Sequence, residues 1–401
     1  MDAPLSGSHG PPPLVPAALR ETLIALRRDL HEHPELSFLE TRTSDRLHAA
    51  LAAVEPARLD RVAGTGLIAR IRGRDPGAPM VAVRGDIDAL PIQEATGLPF
   101  ASRTAGVMHA CGHDVHATWA VGVAHLLARD PAHGDVLVLL QPAEETGRGA
   151  RAVLDSGALG GVRAIFGGHV DRRFAVGQVV AEPGPLAAAA DAFEIELVGR
   201  GAHGARPHEG ADPIVGAGAL IGALQTIVSR RLNPARPAVV TVGSMHAGSA
   251  PNVIPERAVL SGTLRALDAD TRQALHDELR RIAAATAATY GLLATVKIEL
   301  GPPPIVNPAG PAEWARRAAV AVLGQDAVVP LGVLNMGGED FAYYMEGIPG
   351  CFLRIGAREP GGEQIPAHSP KFYAAEESIC VGAAVLAETA RIASQALAEG
   401  R

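Results

Sequence analysis

Met108-His109-Ala110-Cys111-Gly112-His113-Asp114-Val115-His116 places three histidines, one cysteine and one aspartate in nine residues. An apolar run with helical character follows over 117–129. Thiolate and imidazole are the donors that zinc and similar ions prefer. On an extended strand end or loop, residues i and i+2 point to the same side, so Cys111 and His113 are expected to reach one cation. The plainer reading is a helix N-terminus with incidental histidines, and the surrounding sequence weighs against it.

Upstream, 66–71 and 80–84 read as strands separated by the turn-rich Gly73-Arg74-Asp75-Pro76-Gly77. The second runs into Asp86-Ile87-Asp88. Downstream, 135–140, apolar after Asp135, ends at Gln141-Pro142-Ala143-Glu144-Glu145, while 163–166 ends at Gly167-Gly168-His169. Short apolar runs of this kind suit central strands covered on both faces. Helices are expected over 17–33 (Leu19, Leu23, Leu26 and Leu30, stopped by Pro34), 44–54, 312–323 and 374–398. A strand over 351–355 is followed by a loop with His368. The alternation predicts an α/β class with an α/β/α layer domain, whose polar groups gather at strand ends.

The texture changes at Ala187–Ala190, which reads as a hinge. Strands over 193–198, 238–246, 258–264 and 294–300, with helices over 213–230 and 271–290, give the order βαββαβ of a ferredoxin-like sandwich. The expected layout is a disordered leader at 1–16, a catalytic domain from 17–187 and 300–401, and an inserted domain at 188–299. The Gly301-Pro302-Pro303-Pro304 linker closes the insert.

The chain has 401 residues, 47% hydrophobic and 20% charged, with a formal charge of −7. That charge disfavours nucleic acid as a partner, and 3% aromatics leave little for base stacking. Three cysteines are too few and too odd for a disulfide framework, which fits a reducing, cytoplasmic setting. No signal peptide and no membrane span are expected.

Outside the insert, Cys111, His113, Glu145, His169 and His368 are candidate ligands at strand ends or loops. A mononuclear site uses three or four protein ligands. Five, with a thiolate able to bridge, suit two divalent cations. Zinc or manganese is expected, with cobalt and nickel also compatible. Glu144, adjacent to a ligand, is the candidate general base. Asp88 is expected to orient His113 through the imidazole's second nitrogen; a turn or capping role is the alternative. A Cys111 thiol hydrolase would leave Glu145, His169 and His368 without a task. A binding protein that merely kept the fold would not need every catalytic position filled.

Several motifs, in order, resemble the hippurate hydrolase and indoleacetyl-amino-acid hydrolase family, a branch of the dinuclear aminoacylase–carboxypeptidase superfamily. They are Arg28-Asp29-Leu30-His31 with His33-Pro34-Glu35-Leu36, Asp86-Ile87-Asp88-Ala89-Leu90-Pro91, Cys111-Gly112-His113-Asp114, Gln141-Pro142-Ala143-Glu144-Glu145 and Gly168-His169-Val170. Gly204-Ala205-Arg206-Pro207-His208, Asn252-Val253-Ile254-Pro255, Gly262-Thr263-Leu264-Arg265, Glu339-Asp340-Phe341 and Ala367-His368-Ser369-Pro370 complete the set. The resemblance implies that Cys111 bridges, with His113 and His169 on one ion and Glu145 and His368 on the other. It implies that the insert is a lid and dimerisation domain of a homodimer. His203 would then steady the oxyanion in the partner's site, while Asn252 and Arg265 would hold the substrate carboxylate. Gly337-Gly338-Glu339 carries Gly where the family often has Ser. The implied reaction is hydrolysis of N-acyl amino acids, hippurate-like or N-acetyl, by a metal-bridging hydroxide with Glu144 as general acid and base. Dipeptidase or carboxypeptidase action by the same chemistry is the alternative.

Overall fold

The apolar runs on either side of the Cys/His cluster become adjacent strands of one sheet. The computed structural model describes residues 14–400. Its chain divides into two units: one holds the residues up to Pro183, Asn307–Leu331 and the chain from Tyr344, the other Gly184–Val306 and Gly332–Tyr343.

In the first unit a seven-stranded sheet runs in the order Arg58–Val62, Gly66–Ile71, Val136–Gln141, Met80–Asp86, Val162–Ala175, Gly350–Arg358, Val179–Val180. The four strands from Val136–Gln141 to Gly350–Arg358 are parallel to their neighbours, and the pairs outside them are antiparallel. Val81, Val83, Val136, Val138, Leu140, Phe166, Leu353 and Ile355 are buried in its core. Each such side chain contributes about 1.5–3 kcal/mol through removal from water. The His113–Arg129 helix packs on the sheet and against Ala17–Glu32 and Glu377–Ala398. Trp119, fully buried, fits there because position 382 is glycine: a Cβ at Gly382 would come within 2.3 Å of its ring.

The second unit is an antiparallel sheet in the order Ala238–Ala247, Arg257–Ala266, Ala189–Val198, Leu293–Glu299. Pro213–Leu224 and Ala269–Thr289 pack against it. Phe193, Ile195 and Leu197 alternate inward, as a one-sided strand requires, to meet Leu220, Leu224, Leu275 and Leu279. Chain order and strand order together give the ferredoxin-like βαββαβ arrangement. Asp191, on the inward side of the same strand, bonds Arg272 Nε at 2.8 Å and His276 Nε2 at 2.7 Å.

Several local expectations change. Val15 is 3% exposed, so the leader does not extend through 14–16, and residues 1–13 lie outside the described residues. Ala187–Ala190 is extended, with Ala187–Ala189 buried. The helix expected from 117 starts at His113, four residues early, and the strand expected at 163–166 continues to Ala175. Arg58–Val62 escapes notice because its strand is rich in charge, and the short Gly149–Asp155 helix because it follows a polar loop. All three cysteines are free and buried. Among the described residues no helix is long and apolar enough to cross a membrane.

Candidate metal and catalytic centre

Cys111 and His113 converge through a turn, not through an extended i, i+2 pair. Gly112 has φ +92° and caps the helix whose first residue is His113. Only glycine takes that conformation without strain. Space demands it as well, since a Cβ there would lie 2.4 Å from Val170 Cγ2. The turn is thereby seated against the neighbour of His169. His169 itself sits within its strand, opposite Arg354.

The five candidate ligands meet around one sulfur. The donor atoms of Cys111, His113 and His169 lie within 4.8 Å of one another, as do those of Cys111, Glu145 and His368. Cys111 Sγ is 3.2 Å from His169 Nε2, and His368 Nε2 is 3.5 Å from Glu145 Oε2. Glu144 Oε2 approaches His113 Nε2 at 3.9 Å. His169 Nδ1 donates to the Val170 carbonyl at 2.7 Å, which fixes the tautomer that leaves Nε2 as a lone pair facing Cys111. His113 Nδ1 is turned to the Asp88 carbonyl (2.9 Å) and Asp88 Oδ1 (3.1 Å), which frees its Nε2 in the same way.

Asp88 does more than hold His113. It accepts the Glu144 N–H on Oδ1 at 3.1 Å and the Glu145 N–H on Oδ2 at 3.0 Å, with Ser37 Oγ at 2.7 Å on Oδ2. One buried carboxylate therefore sets an imidazole and the loop that carries both glutamates. Buried Glu40 supports the same loop by accepting the Ala143 N–H at 3.0 Å. Ala143 (φ +53°) and His368 (φ +67°) both hold left-handed backbone beside the centre, a strain of about 1–3 kcal/mol each that the surrounding bonds sustain.

His116 and Asp86 stand in motifs that the sequence displays, without an assigned role. His116 Nδ1 donates to Asp86 Oδ1 at 2.7 Å, and its Nε2 accepts the Val170 N–H at 3.0 Å. A histidine three residues beyond a candidate ligand, on a helix, was the available signal.

The charges favour cations. Burial, with Glu145 nearby, pushes the Cys111 thiol up to about 12. Burial would lower His113, but Asp86 and Asp88 outweigh it and hold the imidazole well above its usual range. Burial, His116 and Arg354 hold His169 well below. The hydrogen bond from His368 to Glu145 raises His368. The carboxylate field that would protonate His113 is one that a divalent ion would neutralise. That ion would also ionise the thiol. Among the described residues, His113 Nε2 and Glu145 Oε1 are buried without a hydrogen-bond partner and lie 3.8 Å apart. Unsatisfied buried polar atoms are costly, and a pair of divalent ions would satisfy both. Soft sulfur, imidazole and carboxylate together match zinc-type ions.

In the second unit, His203 pairs with Val253, and the Gly204 N–H bonds the Asn252 carbonyl at 2.8 Å, so one short ribbon holds His203 and Asn252. Arg265 lies on the Arg257–Ala266 strand, paired with Val239 and Ala190, with the Gly338 backbone close to its guanidinium. In the same loop the Gly337 N–H is bonded to Asn335 Oδ1 at 2.9 Å.

Comparison with known proteins agrees along the chain. N-acetylcysteine deacetylase from Bacillus subtilis is 44% identical over 378 residues, covering 94% of this chain and 97% of that protein. IAA-amino acid hydrolase ILR1-like 2 from Arabidopsis thaliana is 37% identical, over 92% of this chain and 84% of that one. Thermostable carboxypeptidase 1 from Saccharolobus solfataricus is 35% identical, over 91% and 93%. A Bacillus subtilis crystal structure described as a dinuclear metal binding peptidase superposes with a TM-score of 0.84 at 40% identity, covering 94% of this chain and 99% of that one. The sequence profile of Peptidase family M20/M25/M40 matches residues 82–392. The protein is a hydrolase of the amidohydrolase kind, and the chain belongs to the M20/M25/M40 peptidase family.

Proposed function

We propose that the protein hydrolyses the amide bond of N-acyl amino acids, with small acyl groups such as acetyl first among them. The observation that carries this reading is the double membership of Cys111 Sγ, in a group with His113 and His169 and in another with Glu145 and His368. Two relatives from Bacillus subtilis named as N-acetylcysteine deacetylases, 44% and 42% identical, support the acyl-amino-acid class over the carboxypeptidases.

His113 and His169 would hold one ion, Glu145 and His368 the other, with the Cys111 thiolate shared. Bound cations supply acidification of a water and polarisation of the scissile carbonyl. Glu144 takes the proton of the attacking water on its carboxylate and delivers it to the leaving amine. Asp88 keeps Glu144 in reach by gripping its backbone N–H. His203 is proposed to stabilise the oxyanion, and Asn252 and Arg265 to bind the free carboxylate of the amino-acid half. A homodimer in which the second unit serves as lid and dimerisation surface completes the proposal.

A panel of N-acetyl and N-benzoyl amino acids, run beside dipeptides, tests the substrate class. Chelator-sensitive turnover of the acyl amino acids, faster than of dipeptides, is the expected outcome. Turnover of dipeptides alone would replace this reading with a peptidase.

A further inference from the structure

We infer that Arg172 is a positioning residue for the cation held by Glu145 and His368, acting through the loop that carries His368. The inference deepens the dinuclear reading and rests on it. Arg172 lies three residues beyond His169 on the same strand, in a run, Asp171-Arg172-Arg173, that reads as surface charge. It is nonetheless 3% exposed. Its Nη1 and Nη2 donate to the two oxygens of Glu359 at 2.9 and 3.2 Å. Nη1 also reaches the Tyr373 carbonyl at 3.1 Å, and Nη2 the Glu363 carbonyl at 2.7 Å. Nε bonds the same Glu363 carbonyl at 3.1 Å. The guanidinium stacks on the Tyr373 ring, 4.2 Å from its centroid, and Tyr373 Oη closes the ring of contacts onto Glu359.

These anchors bracket the segment that carries His368. Glu363 precedes it by five residues and Tyr373 follows it by five. Between them the loop meets the rest of the unit through the His368 N–H on the Ala110 carbonyl (2.8 Å), the Pro370 carbonyl on the Ala95 N–H (2.8 Å), and the buried Phe372 with half-buried Ile365 in the core. His368 is half exposed and in left-handed backbone, so its direction is set by the loop and by its contact with Glu145 Oε2 at 3.5 Å. A planar, five-donor fork can hold three loop positions at once, which an ammonium cannot. The strand bearing His169 is thus tied directly to the loop bearing His368.

Equilibrium dialysis against zinc or manganese, on wild type, R172K and Y373F, tests this. Wild type is expected to bind two ions per chain. R172K should keep one at wild-type affinity and bind the other about 10- to 100-fold more weakly. Y373F, which removes only the hydroxyl on Glu359, should weaken that same ion by less. R172K binding both ions as wild type does, or weakening both alike, would overturn the inference. Should R172K fail to fold, Y373F alone decides, and two unaltered ions there overturn it. Fewer than two ions on wild type would instead bring down the dinuclear reading on which the inference stands.

Discussion

On the proposed reading the chemistry turns on Glu144 and Asp88, and their two roles are separable by experiment. E144Q removes the proton acceptor but keeps the shape and the Asp88 bond to its backbone. Turnover should fall about 10²- to 10⁴-fold with metal content unchanged, read by steady-state kinetics beside elemental analysis. Near-normal turnover would give the base role to another group. D88A takes the carboxylate from His113, whose Nδ1 keeps only the residue 88 carbonyl, and leaves two loop N–H groups without an acceptor. Metal affinity should drop about 10- to 100-fold and activity with it. An intact metal count in D88A would confine Asp88 to the loop. The candidate donors were readable as types, because Cys, His and Glu at strand ends are unusual. The reach of Asp88 to two N–H groups 56 and 57 residues away was not, since sequence carries no distance.

At the scale of elements, the turn at Gly112 sets a loop cysteine beside a helix-start histidine, as the proposed shared ion requires. G112A is expected to lose metal affinity and to destabilise the first unit by about 1–3 kcal/mol, since φ +92° and the 2.4 Å approach to Val170 both oppose a side chain. Equilibrium unfolding and metal titration measure the two effects. The reading of 111–113 as extended failed here because polar residues before a helix look alike whether the chain is straight or turned. His169 was placed after its strand for a related reason. Gly167-Gly168 resembles a break, yet the parallel partner Gly350–Arg358 carries the ladder through it. In the second unit Asp191 joins the Ala189–Val198 strand to the Ala269–Thr289 helix. Burial alone would raise its carboxyl, but bonds from Arg272 and His276 outweigh it and hold it below the ordinary range. A depressed folded value means its stabilisation is full above the unfolded value of about 3.9 and is lost as pH falls below that. D191A should cost about 3 kcal/mol near neutrality, and the gap to wild type should shrink below about pH 4 in urea melts. A gap independent of pH would mean the carboxylate is not the stabilising form.

Across the whole molecule, the α/β layer and the βαββαβ unit follow from runs of apolar residues and their order, which a sequence displays directly. Both boundaries of the second unit fall outside 188–299, and the unit also takes in Gly332–Tyr343, because contacts and not composition divide a folded chain. Arg172 was missed for the opposite reason: a charged run is ordinarily solvated, and only tertiary structure buries this one. The central claim is that two cations share the Cys111 sulfur. Anomalous diffraction from crystals grown with zinc or manganese tests it most directly. Two metal peaks are expected to flank Cys111 Sγ, one bounded by His113 and His169, the other by Glu145 and His368. A single peak, or two peaks that leave the sulfur uncoordinated, would contradict it.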